Sequence, residues 1–319
     1  SIFPKLNQQN QPTLPFNSKT RGLMMQIAII GDIHTKWNSV DIDYFNQSKY
    51  DLILICGDLP GRLHTQTLTI ATLISQLKTP AVMIPGNHDS TTVQQLVGEI
   101  LQNQTLIGND GQSQLERVDQ LTLKLAPVQL GGYSLHRFQG IDIITTRPHS
   151  MGGPNLAFVP YLKHRFSVHT IQDSANLLKR IVDQSSQDII FFGHNGPAGL
   201  GSDRFDIYGC DFKPEMGDFG DTDARIALDY AIQQGKNVKA FIAGHMHHQL
   251  KGGGNRRWLV QKDGITYVNA ARVPRIFRYN NQLVHHHIQL TIDSNSVKIQ
   301  PVFISANDLC ELDQVEPII

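Results

Sequence analysis

Gln26-Ile27-Ala28-Ile29-Ile30-Gly31-Asp32-Ile33-His34 is the stretch on which the reading of this chain turns. A continuous apolar run of this length reads as a strand buried on both faces, and here it stops at a glycine followed by two metal-capable side chains. The same grammar recurs four times. Leu52–Gly57 leads into Asp58, Ala81–Gly86 into Asn87-His88-Asp89, Asp188–Gly193 into His194, and Val238–Gly244 into His245-Met246-His247. Between the runs, Ile70, Leu73, Ile74 and Leu77 follow helical spacing, as do Ala224, Ala227, Leu228 and Ala231. Ile171, Ala175, Leu178 and Val182 mark a further apolar helix face. Strands alternating with helices predict an α/β domain whose sheets are covered by helices. After Gly264 the shorter segments 265–270, 275–279, 285–292 and 297–304 predict a closing set of antiparallel strands.

Ligand sites in α/β sheets form beyond the carboxyl ends of the strands. A glycine there lets the chain turn sharply and carry the next side chain into a shared crevice. The five strand ends therefore converge two carboxylates (Asp32, Asp58), four imidazoles (His34, His194, His245, His247) and the amide of Asn87. Four imidazoles favour Mn, Fe or Zn over Ca or an all-oxygen Mg site. Two divalent ions against two carboxylates leave a formal charge of about +2, or about +1 with a bridging hydroxide, which attracts an anionic phosphoryl group. Paired ions about 3.5–4 Å apart generate that hydroxide and stabilise both oxygens of an in-line displacement. Each piece alone has a plainer explanation. Asn-His-Asp serves equally as a turn, and a Gly-His pair as a packed or surface histidine. All five in order, each directly after a strand and a glycine, are hard to obtain by chance.

The order Gly31-Asp32-x-His34, Gly57-Asp58, Gly86-Asn87-His88-Asp89, Gly193-His194, Gly244-His245-x-His247 resembles the calcineurin-like metallophosphoesterase superfamily. The resemblance implies a four-layer α-β-β-α sandwich, two mixed β-sheets flanked by helices. It also implies roles. Asp32, His34, Asp58 and His247 would hold the first metal, and Asp58, Asn87, His194 and His245 the second, with Asp58 bridging. His88 would protonate the leaving oxygen, and Asp89 would orient and tune it. The stretch from Gly193 to Arg204 is similar to a poorly characterised cyanobacterial and plastid group of the superfamily, which brings no substrate with it.

Three arginines are candidates for the substrate phosphate. Arg62 lies four residues after Asp58, as does a phosphate-contacting arginine in the protein Ser/Thr phosphatase branch. Gly61 departs from that branch, which carries an aspartate there, and a solvated loop arginine is the competing reading. Arg147, with His149, is read either as presented to the crevice or as part of an ordinary turn. Arg204, with Asp203, sits in a Gly-rich loop after His194, while the acidic stretch from 203 to 223 reads as a solvated surface. His285-His286-His287 invites a metal reading, but alternation along a strand sends neighbours to opposite faces.

The 319 residues suffice for one large domain or two small ones. We read 1–24, rich in Gln, Asn and Pro, as a disordered tail, and 25–319 as a single catalytic domain with a specificity insert at about 103–185. Lys+Arg and Asp+Glu both number 28, so no broad electrostatic grip on nucleic acid or anionic membrane is indicated. No apolar run is long enough to span a bilayer. Three scattered cysteines form no disulfide framework, which points to a reducing compartment. The expected location is the cytoplasm, or the plastid stroma if 1–24 belong to a targeting segment. The leading function is two-metal hydrolysis of a small phosphomonoester by a metal-bridging hydroxide. A phosphodiesterase acting on a cyclic nucleotide or another diester is the alternative, followed by a phosphoprotein phosphatase. A scaffold that keeps the fold without catalysis is disfavoured, because the seven ligands and His88 are all present.

Overall fold

The computed structural model describes residues 24–61, 63–108, 111–293, 296–313 and 315, so the tail expected over 1–24 lies outside the described residues except for Met24. The first half of the chain runs β1 (Met25–Ile30), α1 (Ser39–Gln47), β2 (Leu52–Ile55), α2 (His64–Ile74), β3 (Ala81–Met83), α3 (Val93–Leu101), α4 (Gln104–Ile107), α5 (Gln112–Leu125) and β4 (Gln129–Leu130). It continues with β5 (Ser134–Phe138), β6 (Ile141–Thr145), α6 (Val159–Phe166), α7 (Ile171–Gln184), β7 (Asp188–Phe192), α8 (Thr222–Gln233), β8 (Asn237–Ala243), β9 (Leu259–Lys262) and β10 (Ile265–Asn269). Strands β11 (Ile276–Tyr279), β12 (Gln282–Ile292) and β13 (Val297–Ser305) close it.

Two mixed sheets result. In the first, β1 to β4 are parallel neighbours, and β12 adds antiparallel to β1, with Ile27 opposite Leu290. Strand β12 also pairs with β11 and, from Val284 to Ile292, with β13. The second sheet has the order β5-β6-β7-β8-β10-β9 and is parallel from β6 to β10. The expectation of a wholly antiparallel closing set holds for β11 to β13 but not for β10. That strand lies parallel to β8, because the chain first runs back along β9 and then turns at Asp263-Gly264 into β10, antiparallel to β9.

Side-chain alternation explains the layering. Ile27, Ile29, Leu54 and Leu290 of the first sheet meet Ile143, Ile190, Phe192 and Ile242 of the second in a buried middle layer. The opposite face of the first sheet packs on Phe45, Ile70, Ile74 and Leu121 from α1, α2 and α5. The outer face of the second packs on Leu178, Val182, Ala227 and Leu228 from α7 and α8. The order is thus helices, sheet, sheet, helices. Within 103–185, the span expected to hold a specificity insert, β4, β5 and β6 are sheet strands and α7 packs on the second sheet. Among the described residues no helix is long and apolar enough to cross a membrane.

Candidate metal centre

The carboxyl ends of β1, β2, β3, β7 and β8 meet at one edge of the sandwich, and backbone hydrogen bonds extend the parallel ladders into the loops beyond them. His34 N donates to Asp58 O (2.7 Å), and Gly244 N donates to His194 O (2.8 Å). Close approach, more than sharp turning, explains the glycines. A Cβ on Gly86 would lie 2.2 Å from Asp58 Oδ1, and one on Gly244 would lie 2.4 Å from Asp32 Oδ1. The strain falls instead on the ligands themselves: His34, Asp58 and His245 have φ of 40°, 49° and 65°. Left-handed backbone at such residues costs roughly 1–3 kcal/mol each and persists where the surroundings enforce it.

Two clusters of ligand atoms result, Asp32/His34/His247 and Asp58/His194/His245, each with its atoms within 4.8 Å of one another. Asp58 lies between them. Its Oδ1 accepts from His88 N, while Oδ2 is 3.9 Å from His34 Nε2 and 3.6 Å from His194 Nε2. Asp32 is divided the same way, with Oδ1 accepting from His245 N and Oδ2 facing His247 Nε2 at 3.4 Å. Asn87 Oδ1 joins the second cluster, 3.1 Å from His194 Nε2.

The unused ring nitrogens are tied to carbonyls. His34 Nδ1 donates to Pro60 O (3.0 Å), His194 Nδ1 to Cys56 O (2.6 Å), and His245 Nε2 to Met151 O (3.1 Å). A donor bond at one nitrogen presents the lone pair of the other to a cation. Among the described residues Asp32 Oδ2 is buried without a hydrogen-bond partner, and His34 Nε2 and His247 Nε2 face each other at 3.3 Å. An orphaned carboxylate oxygen beside opposed imidazole nitrogens fits a cation well.

The electrostatics agree. Burial alone would raise the Asp32 carboxyl, but contact with His247 and the charges of His194, His247 and His34 hold it well below the usual range. At Asp58 burial is likewise outweighed, chiefly by His194 and His88. Burial opposes protonation of His194, yet the Asp58 and Asp32 charges raise it. His245, buried and beside His194, is pushed down to about 3 and stays neutral. The carboxylates are therefore ionised over the physiological range and ready to take cations.

The other predicted residues fall differently. His88 is half-buried with its ring edge-on to His34, centroids 5.7 Å apart, and no side-chain hydrogen bond is found for it among the described residues. Among the described residues no hydrogen bond joins Asp89 to it. Its carboxylate accepts from Gly86 N (2.7 Å), Leu59 N (2.7 Å) and Asp58 N (2.9 Å), fastening the β2 and β3 loops together. Burial and the Asp58 charge push its carboxyl up to about 7 against these donors. Arg147 is corrected too. It is buried, with Nε on Asp223 Oδ2 (3.0 Å) and Nη2 on Asp221 Oδ1 (2.9 Å), because the two aspartates neutralise it where no solvent reaches. Those aspartates come from the stretch read as solvated surface, and both are fully buried. His149 is also turned inward, onto Gly86 O (2.8 Å). Arg204 stacks on the Phe205 ring (4.6 Å), and no contact joins it to either cluster among the described residues. Arg62 lies outside the described residues.

Two roles escaped the sequence reading. The Met151 carbonyl orients His245, and buried Arg256 fastens the loop around Arg204 by donating to His247 O (3.1 Å), Arg204 O (3.1 Å) and Asp206 O (3.0 Å). Backbone acceptors leave no signature in residue identity. The Gly152-Gly153 pair, at φ 73° and 75°, was the available hint of a special turn at Met151.

No curated protein matches the chain in sequence. Solved structures share its fold, among them the following two. One has a TM-score of 0.52 at 10% identity, covering 87% of this chain and 99% of its own. The other, TT1561 of Thermus thermophilus, has a TM-score of 0.50 at 9% identity, covering 87% and 99%. The family model of the calcineurin-like phosphoesterases matches residues 25–249. That span takes in every ligand of both clusters, so the chain belongs to the calcineurin-like phosphoesterase family and is a metal-dependent phosphoester hydrolase.

Proposed function

We propose that the chain hydrolyses phosphate monoesters of small molecules. The observation that carries this reading is the single Asp58 oxygen lying within 4 Å of a histidine from each cluster, the arrangement a pair of ions needs. Asp32, His34, Asp58 and His247 would hold one ion and Asp58, Asn87, His194 and His245 the other, with Mn, Fe or Zn suited to the imidazoles. Such ions acidify water and neutralise phosphoryl charge.

The protein's own groups do the rest. The carbonyls of Pro60, Cys56 and Met151 hold the imidazoles in place. His88, half-buried beside His34, would hand a proton to the leaving oxygen. With only two carboxylates among the ligands, a site loaded with two divalent ions keeps a formal charge of about +2, or about +1 once it holds a bridging hydroxide, which attracts a dianionic monoester. Arg62, four residues after Asp58 in the sequence, would grip a non-bridging oxygen. Arg62→Lys should leave metal content unchanged and weaken inhibition by phosphate about tenfold, because lysine lacks the planar fork. Unchanged inhibition would remove Arg62 from the site.

The main test is kcat/KM for matched monoesters and diesters across a panel of phosphorylated metabolites, with Mn, Fe and Zn forms compared. Monoesters should be favoured. A diester turned over faster than its matched monoester would replace this reading with a phosphodiesterase.

A further inference from the structure

Arg147, expected at the substrate, belongs instead to a buried frame behind the second cluster. Resting on the two-ion reading above, we propose that Arg147, Ser150 and Asp221 are positioning residues for the second ion alone. They would do so by fixing segment 147–151 against the loops that carry Asn87, His194 and His245.

The frame is assembled on one oxygen. Asp221 Oδ1 accepts from Arg147 Nη2 (2.9 Å) and from Ser150 Oγ (2.6 Å). Arg147 is further held by Asp223, so both ends of the short segment from Arg147 to Ser150 are tied down. Three arms leave it. Met151 O takes the Nε2 proton of His245 (3.1 Å). His149 donates its backbone N to Pro85 O (2.8 Å) and its ring Nδ1 to Gly86 O (2.8 Å), immediately before Asn87. Asn195, immediately after His194, donates Nδ2 to Phe219 O (3.0 Å) and lies 3.4 Å from Asp221 Oδ1. Each ligand unique to the second cluster is thus within one residue of the frame.

The first cluster is served differently. His34 is oriented by Pro60 O, and the carbonyl of His247 is held by Arg256. Among the described residues no hydrogen bond of Arg147, His149, Ser150 or Asp221 reaches Asp32, His34 or His247. The group that holds the far nitrogen of a ligating imidazole sets its direction and basicity, and losing such a group typically costs about 10–100-fold in metal affinity. Loosening the frame should therefore weaken one ion and spare the other. A frame that served folding alone would make no such distinction.

The test uses the full chain with Mn as the only metal, in wild type, Ser150→Ala and Asp221→Asn. Equilibrium dialysis with elemental analysis gives the two affinities, and electron paramagnetic resonance reports whether the Mn ions form a coupled pair. His34→Ala and His194→Ala identify which affinity belongs to which cluster. We expect one Mn to bind Ser150→Ala as in wild type and the other about 10–100-fold more weakly, with the coupled spectrum giving way to that of an isolated ion. Two affinities that stay within about twofold of wild type, or that fall together, would overturn the proposal. If Asp221→Asn does not fold, Ser150→Ala decides alone, since it removes a single hydroxyl. A wild-type protein that binds fewer than two Mn would sink the two-ion reading instead.

Discussion

His88 and Asp89 are consecutive residues with separate surroundings. His88 lies half-buried beside His34, whereas the Asp89 carboxylate is buried under the loops and collects three backbone N–H groups. Their substitution should separate accordingly. His88→Ala should keep both metals and lose about 10²–10⁴-fold in kcat, more for an alkyl phosphate than for an activated aryl phosphate, since the latter leaves with little protonation. Equal losses for the two substrates would count against His88 as the acid. Asp89→Asn should lower stability by about 1.5–3 kcal/mol and loosen the metals, because an amide NH2 faces a backbone donor where a carboxylate oxygen stood. Intact metal content with only a shifted pH profile would restore the tuning role. The residues of the two candidate clusters were legible in the sequence because each lies within three residues of a strand-ending glycine. The destination of the Asp89 side chain was not, since its partners are backbone amides that every residue carries.

Strand β12 shows the same limit at the scale of one element. Its His285-His286-His287 run was readable as strand alternation, and the structure bears this out. His285 and His287 face α1, on Asp41 (2.9 Å) and Tyr50 OH (2.7 Å), while His286 packs on Phe303. Full burial was less legible, because it depends on partners distant in sequence, α1 over one face and Phe303 of the neighbouring β13 beside His286 on the other. It has a cost in acid. Burial, with Arg275 adding to it, pushes His287 down to about 3, against about 6.5 in an unfolded chain. The folded state therefore takes up this proton later than the unfolded state. The contribution of His287 is intact above pH ~6.5 and is lost progressively as pH falls towards the folded value. His287→Phe removes that term, and Tyr50 keeps a partner in Gln289. Between pH 7.5 and 5.5 the variant should lose about 1.4 kcal/mol less stability than wild type in urea unfolding. Parallel losses would show that His287 is protonated while folded.

Across the whole molecule, each cluster draws on both sheets. Asp32 and His34 follow β1 in the first sheet while His247 follows β8 in the second, and Asp58 is likewise joined by His194 and His245. Bound ions would cross-link the two sheets at one edge. An ion present at a hundred times its dissociation constant stabilises by about 2.7 kcal/mol, so chelation should lower Tm by several degrees and Mn should restore it. Asp58→Asn should abolish most of that rise, and a Tm indifferent to EDTA would contradict the cross-link. The four-layer arrangement was legible only through resemblance, since apolar periodicity identifies strands without stating which sheet receives them. The pairing of β1 with β12 is the clearest case, and it bears on synthesis. The second strand-partner of Met25–Ile30 is Ile288–Ile292, with β2 to β11 between them in the sequence. A ribosome must therefore deliver all of those elements before β1 can be closed on that side. Throughout that interval an apolar edge stands open to other nascent chains. Premature termination before β12 should yield insoluble product, and the full-length chain should gain from a chaperone that shields its early strands.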